Sequence, residues 1–160
     1  MRWWRIVVDD QGDVQRYLSD FNVGETFRGP VTTLTDEHFR SFALLTGDDH
    51  PIHYDEAYAA AHPLGKRVAH GLLLMSLTAV GATSLASQIH ESLLAFAGQS
   101  CRFLSAATVG DTVWPEFEVH EIVEKSGNRG LLKLRVRLVC ETGVLLDGEH
   151  VYLMLMEPSD

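Results

Sequence analysis

Residues 71–89, GLLLMSLTAVGATSLASQI, carry no charged side chain, and their reading decides the fold. An uncharged run of this length is long enough to cross a bilayer as a helix. Against that, Ser76, Thr78, Thr83, Ser84, Ser87 and Gln88 interrupt it, and no flanking basic cluster orients it. A helix that is apolar and small-residue rich all round is better enclosed by its own protein. The segment therefore predicts one long central helix beginning at Gly71, with something wrapped around it.

The chain on either side supplies the wrapping. In LLKLRVRLVCE (131–141), Leu132, Leu134, Val136, Leu138 and Cys140 fall on one face and Lys133, Arg135 and Arg137 on the other, the period-two pattern of a half-buried strand. TVWPEFEVHEIVE (112–124) and VLLDGEHVYLMLM (144–156) read as further strands, SGNRG (126–130) as a hairpin turn, and ETFRGPVTTL (25–34) as an edge strand, where Pro30 is tolerated. Upstream of the uncharged run the signals are helical. Thr35 is an N-cap, Asp36 and Glu37 suit the positive helix end, Phe39, Phe42, Ala43 and Thr46 recur at helical spacing, and Gly47 is a stop. Asp55 can cap a short helix, EAYAAA, ended by the HPLG turn. The expected architecture is α+β, a curled antiparallel sheet of about five strands around a long central helix. It forms a single domain over 1–160, with 1–22 as an N-terminal extension.

Composition narrows the function classes. The 160 residues are 46% apolar and 22% charged, enough for one proper core and too few for two. Thirteen basic residues against 22 acidic ones give a net charge of −9, spread along the chain. Nucleic acid and anionic membrane both need clustered positive charge, so neither is expected as a partner. Cys101 and Cys140 lie far apart without metal-type spacing, each in an apolar strand-like run, and read as reduced, buried thiols of a cytoplasmic protein rather than a disulfide. The start, MRWWRIVVDD, has its apolar stretch broken by Arg5, so no signal-peptide pattern forms. Trp3 and Trp4 are candidates to cover an apolar patch or a dimer edge.

The chemistry-bearing stretch is GDDHPIHY, residues 47–54. Three readings are open. Aspartates in such a loop commonly bond nearby amides while histidines face solvent. A metal site is the second, with Asp48, His50 and His53 as donors and His62 or His70 as a fourth, although a proline between two histidines tends to splay them. The third is acid/base chemistry, with Asp48 and His53 converging on one water across a rigid turn. Downstream, His70 and Gly71 open the uncharged segment, where unpaired amide N–H groups suit a developing oxyanion.

LTGDDHPIHYDEAYA (45–59) followed by VAHGLLLMSL (68–77) strongly resembles the MaoC-like dehydratases, the (R)-specific enoyl-CoA hydratases of the hot-dog fold. Their motif runs Gly-Asp-x-Asn-Pro-Ile/Leu-His, followed by an apolar-His-Gly segment that opens the central helix. The likeness extends from VGETF at Val23 through VGDTV (109–113) to the last strand.

The resemblance implies water addition across a trans-2-enoyl-CoA to give an (R)-3-hydroxyacyl-CoA, or the reverse. It also implies no cofactor, and a homodimer or higher homo-oligomer formed by extending the sheet. By match of position, Asp48 and His53 are the catalytic pair and Gly71 the oxyanion donor. His70 stands beside Gly71 as a substrate contact or a helix-start packing residue, and His50 and Pro51 position the loop. Lys66, Arg67, Arg102, Lys125 and Arg129 are candidates for the coenzyme A phosphates. Two positions depart from the family: His50 stands where the motif has Asn, and Ala79 where the best-known hydratases carry a helix serine, nine positions past His70. Ser76 or Thr78 would have to replace that hydroxyl. A thioesterase and a non-catalytic acyl-CoA-binding subunit are the alternative functions on this fold.

Overall fold

A computed structural model describes residues 14–158. Trp3 and Trp4, and the rest of the MRWWRIVVDD reading, lie outside the described residues. The strands are β1 (Thr26–Arg28), β2 (Thr32–Thr33), β3 (Leu93–Phe103), β4 (Thr112–Lys125), β5 (Arg129–Cys140) and β6 (Gly143–Leu155), and the helices α1 (Asp36–Thr46), α2 (Glu56–Ala61), α3 (Gly71–Ser76) and α4 (Leu85–Gln88). They make one antiparallel sheet in the order β1-β4-β5-β6-β3, with β2 pairing β4 beyond β1. ETFRGPVTTL thus gives two short edge strands rather than one, because Pro30 lacks the N–H that would continue the ladder. That raises the strand count to six.

Alternation decides which face is inside. Leu132, Leu134, Val136 and Leu138 of β5 are buried as their spacing predicts, while Cys140 at the strand end is half-buried. Gly127 (φ 76°) and Asn128 (φ 55°) make the expected β4–β5 turn, both in the left-handed region that Gly and Asn tolerate. The inner face divides into two apolar clusters. One packs Leu18, Phe21, Val80, Leu85 and Ile89 on β4–β6; the other packs Phe39 of α1 and Leu73 and Leu74 of α3 on Val113, Leu138 and Leu146. Residues 18 and 21 of the expected N-terminal extension therefore contribute to the core, and Arg16 anchors the same segment through its ion pair with Glu25 at 2.6 Å.

The outer face carries charge in rows. Across the strands the register aligns Arg28, Glu116, Arg137, Asp147 and Arg102, alternating in sign from β1 to β3. A second row aligns Glu118, Arg135 and Glu149. Side chains directly opposite on neighbouring strands are close enough for opposite charges to attract; Arg137–Asp147 (3.4 Å), Arg102–Asp147 (3.7 Å) and Arg135–Glu118 (3.6 Å) do so.

The long central helix is the expectation that needs correction. The segment from Gly71 is helical only to Ser76, becomes extended at Ala79 (φ −64°, ψ 121°), makes a 3₁₀ turn over Val80–Ala82, and is helical again over Leu85–Gln88. The hydroxyls explain it. Ser76 Oγ donates to Leu73 O, Thr78 Oγ1 to Met75 O and Thr83 Oγ1 to Val80 O, each at 2.7 Å. Such side chains offer the backbone an alternative to the i→i−4 ladder, and Gly81 weakens helix further. Nor is the segment enclosed all round: Leu72 is 56% exposed, and Ala79, Gly81, Ala82 and Ser84 also face outward. Among the described residues no helix is long and apolar enough to cross a membrane.

Among the described residues, β3 forms the far edge of the sheet, where it pairs with β6 alone. Leu94, Phe96 and Phe103 on it are each about half exposed.

Candidate active site

Asp48 is positioned by the way α1 stops. Gly47 takes a left-handed conformation (φ 77°) and its N–H bonds Ala43 O at 2.7 Å, which turns the chain sharply away from the helix axis. Thr46 Oγ1 then accepts from the Asp48 N–H at 3.2 Å. Pro51 opens a 3₁₀ turn, Pro51–His53, with its fixed φ suited to that first position. His50 caps this turn, its Nδ1 accepting from Ile52 N at 3.3 Å, the type of bond an Asn side chain makes at the same place. Asp55, one residue past the turn, caps α2 by accepting from Tyr58 N at 2.9 Å.

The turn swings His53 towards the start of α3. Its Nδ1 lies 2.7 Å from Val68 O. A carbonyl only accepts, so the proton sits on Nδ1 and Nε2 of the neutral ring keeps a free lone pair. His53 stacks on His70, with ring centroids 3.7 Å apart and planes 26° from parallel. Polar atoms of Asp48, His53 and His70 all lie within 4.8 Å of one another. Asp48 is exposed, His53 half-buried and His70 2% exposed.

Three such donors raise the metal question. Imidazole lone pairs lie in the ring plane, so two stacked rings aim theirs side by side rather than at a common point. The arrangement suits a shared water better than an ion, which requires convergent donors.

Sequence reasoning missed Tyr54. Its hydroxyl lies 2.7 Å from His70 Nε2, 3.0 Å from Phe39 O and 3.2 Å from Asp48 O. Burial, then the Asp48 and Asp49 carboxylates, raise its pKa above the usual phenol value, so it stays protonated. Burial and the facing His53 ring hold His70 below the usual imidazole value, so it is neutral near pH 7. The signal available in the sequence was Tyr54 directly after His53, which alone does not tell a site residue from a packing one.

Gly71 is the first residue of α3, and an N–H in that position has no intrahelical carbonyl to bond. The Phe103 ring packs against it: a Cβ built on Gly71 would stand 3.0 Å from ring carbons. Beside them a groove of about 380 Å³ runs between Val68–Gly71 and residues 103–106. Ala79 is exposed at the helix break, and the hydroxyls of Ser76 and Thr78 donate to carbonyls three residues back. Of the basic candidates, Arg67 is held by Asp36 (2.7 Å) and Glu56 (2.8 Å) with its side chain 17% exposed; Arg102, next in sequence to Phe103, is 80% exposed and faces Asp147 at 3.7 Å.

The curled antiparallel sheet is that of the hot-dog fold, which a solved structure from Mycobacterium tuberculosis with a double hot-dog fold shares at a TM-score of 0.70 and 25% identity, over 91% of this chain and 46% of that one. The family model for the MaoC like domain matches residues 20–138, and the chain belongs to that family. A 3-hydroxybutyryl-CoA dehydratase from Methylorubrum extorquens is 33% identical over 137 residues, covering 83% of this chain and 80% of its own. An (R)-specific enoyl-CoA hydratase from Aeromonas caviae is 33% identical over 112 residues, covering 69% and 79%. Among solved structures, a monoamine oxidase regulatory protein from Archaeoglobus superposes with a TM-score of 0.85 at 26% identity, covering 92% of this chain and 99% of that one.

Proposed function

We propose that this chain is an (R)-specific enoyl-CoA hydratase/3-hydroxyacyl-CoA dehydratase, a hydro-lyase that reversibly adds water to a trans-2-enoyl thioester and needs no cofactor. The observation that carries the reading is the His53–Asp48 pair. His53, with Nδ1–H given to Val68 O, keeps its Nε2 for a water; donor atoms of Asp48, His53 and His70 lie within 4.8 Å of one another, and Gly71 follows His70 as the first residue of α3.

In this reading the thioester lies in the groove beside Gly71. Its carbonyl oxygen gains negative charge as water attacks C3, and the Gly71 N–H donates a hydrogen bond to that oxygen; one such donor is typically worth around 3 kcal/mol. His53 Nε2 takes the proton of the attacking water while Asp48, in its protonated form, gives one to C2. The proton returns from His53 to Asp48 before the next turnover. General acid/base help of this kind is worth roughly 10² to 10⁴ in rate. Lys66 and Arg102 flank the groove in sequence and are the proposed partners of the coenzyme A phosphates.

A homodimer is part of the proposal, and the sheet edge supports it. β3 offers an eleven-residue edge with Leu94 and Phe96 half exposed, and edge strands of that length are normally paired or covered. Two free thiols, Cys101 and Cys140, fit a reducing compartment, and we place the enzyme in the cytoplasm, in fatty-acyl metabolism.

The test incubates purified protein with short- and medium-chain trans-2-enoyl-CoAs and follows loss of the conjugated double bond and release of free thiol together. Loss of the double bond without thiol is the expected result. Thiol release means a thioesterase, and binding with neither means a non-catalytic subunit; either refutes the proposal.

A further inference from the structure

We infer that Tyr54 and His70 form a hydrogen-bonded clamp that positions Asp48 and His53; the inference rests on the reading of that pair as acid and base. The protons of the cluster can be assigned. Phe39 O and Asp48 O are carbonyls and only accept. Both lie beside the Tyr54 hydroxyl, at 3.0 and 3.2 Å, and Asp48 O is also 3.2 Å from His70 Nε2. Were Nε2 bare, the single Tyr54 proton would face three acceptors, and Nε2 and Asp48 O would oppose lone pairs. With the proton on Nε2, His70 donates to Tyr54 Oη at 2.7 Å, and Tyr54 donates to a carbonyl. Two protons then serve the cluster without opposed lone pairs at Nε2: the Nε2–H faces Tyr54 Oη and Asp48 O, and the Tyr54 O–H faces Phe39 O and Asp48 O. The remaining ring atom, His70 Nδ1, is buried without a partner among the described residues, which a bare nitrogen bears at lower cost than an N–H.

The clamp joins three elements. Through Phe39 O it holds α1, through Asp48 O the catalytic loop, and through His70 the start of α3. The His70 ring, fixed at Nε2 and buried, is the surface on which His53 stacks at 3.7 Å. Loss of the Tyr54 hydroxyl therefore frees the Asp48 backbone and the ring under His53 at once. Tyr54 touches no reacting atom in this arrangement. It is a positioning residue, and so is His70.

The experiment compares wild type, Tyr54→Phe and Tyr54→Leu. A misplacement of about 1 Å can cost on the order of 10²-fold in rate, so Tyr54→Phe is expected to lower kcat roughly 10- to 100-fold with KM within about twofold, nearly as far as Tyr54→Leu. If the ring merely packs, Phe restores wild-type kcat and the clamp is refuted. A second arm does not depend on turnover. Imidazole ¹⁵N shifts at neutral pH should show His70 as the Nε2–H tautomer, and Tyr54→Phe should shift or broaden the Asp48 amide and His53 ring signals while distant strand amides keep theirs. An Nδ1–H tautomer, or unmoved Asp48 and His53 signals, overturns the clamp. Wild type inactive on every enoyl-CoA overturns the functional reading instead, and the NMR arm then decides the clamp alone.

Discussion

Acidification should weaken this fold through one buried side chain. His150 on β6 is 3% exposed, with Nδ1 at 3.1 Å from the Tyr152 hydroxyl, Nε2 at 3.3 Å from Thr78 Oγ1, and Phe96 and Phe117 around the ring. Burial lowers its pKa from 6.5 to about 4. Because the folded value lies below the unfolded one, the unfolded chain takes up the proton first. Stability is therefore full above about pH 6.5, falls as the pH drops from there to about 4, and loses nothing more to this group below that. The gap, 6.5 − 4 = 2.5 pH units, is worth about 3 kcal/mol, most of which should be gone by about pH 4.5. That is a large share of a typical domain's stability. The assay is urea unfolding at about pH 7 and pH 4.5, at one protein concentration, for wild type and His150→Gln. The glutamine side chain keeps hydrogen-bonding capacity without titrating, and the carboxylates common to both proteins cancel in the difference. Equal losses in the two proteins would mean that the imidazole is not held neutral in the core, and the reasoning would fail.

Asp48→Asn and His53→Gln should each reduce hydration at least roughly 10²-fold while leaving the urea midpoint near wild type; near-full activity in either would remove that residue from the pair. Gly148→Ala should destabilise by roughly 1–3 kcal/mol, because a Cβ there would run into Ser100 O and Cys101 of β3; an unchanged midpoint in urea would contradict the close β3–β6 approach. Leu94→Lys places a charge on the open edge of β3, and light scattering should show a dimer weakened roughly tenfold or more, since edge lysines oppose strand pairing. A variant as dimeric as wild type would move the interface elsewhere.

How much was legible in the sequence depended on whether one physical pressure dominated. β4, β5 and β6 were readable because each has one face in the core, so burial imposes period two on the residues. β3 was visible only through the apolar run around Cys101. At the sheet edge LLAFAGQSCRF has both faces largely open, and no alternation is enforced. The caps Thr35 and Asp55 were readable because their hydrogen bonds are local. The helix break was not, because Ser76, Thr78 and Thr83 look like scattered polarity until each hydroxyl is paired with the carbonyl three residues back. At the site, the sequence singled out Asp48, His53, His70 and Gly71, and the fold brings polar atoms of the first three within 4.8 Å of one another. The partner that fixes the His53 proton is a backbone carbonyl, Val68 O, and a carbonyl carries no letter in the sequence. His50 was legible as a departure, and its geometry shows a substitution of one turn-capping acceptor for another.

The alternating rows on the outer face bear on how such a protein can drift. In the row Arg28, Glu116, Arg137, Asp147, Arg102, each inner residue has an opposite charge on both sides. Reversing one sign turns two attractions into two repulsions, whereas reversing its neighbour as well restores the contact between them and moves the conflict outward. A paired reversal of two inner residues therefore still leaves two repulsions, and only a pair that includes an end of the row, Arg28 or Arg102, leaves a single one. The five positions are expected to co-vary among relatives as a pattern propagated across the strands, so that replacements tolerated at Arg137 depend on what already stands at Glu116 and Asp147.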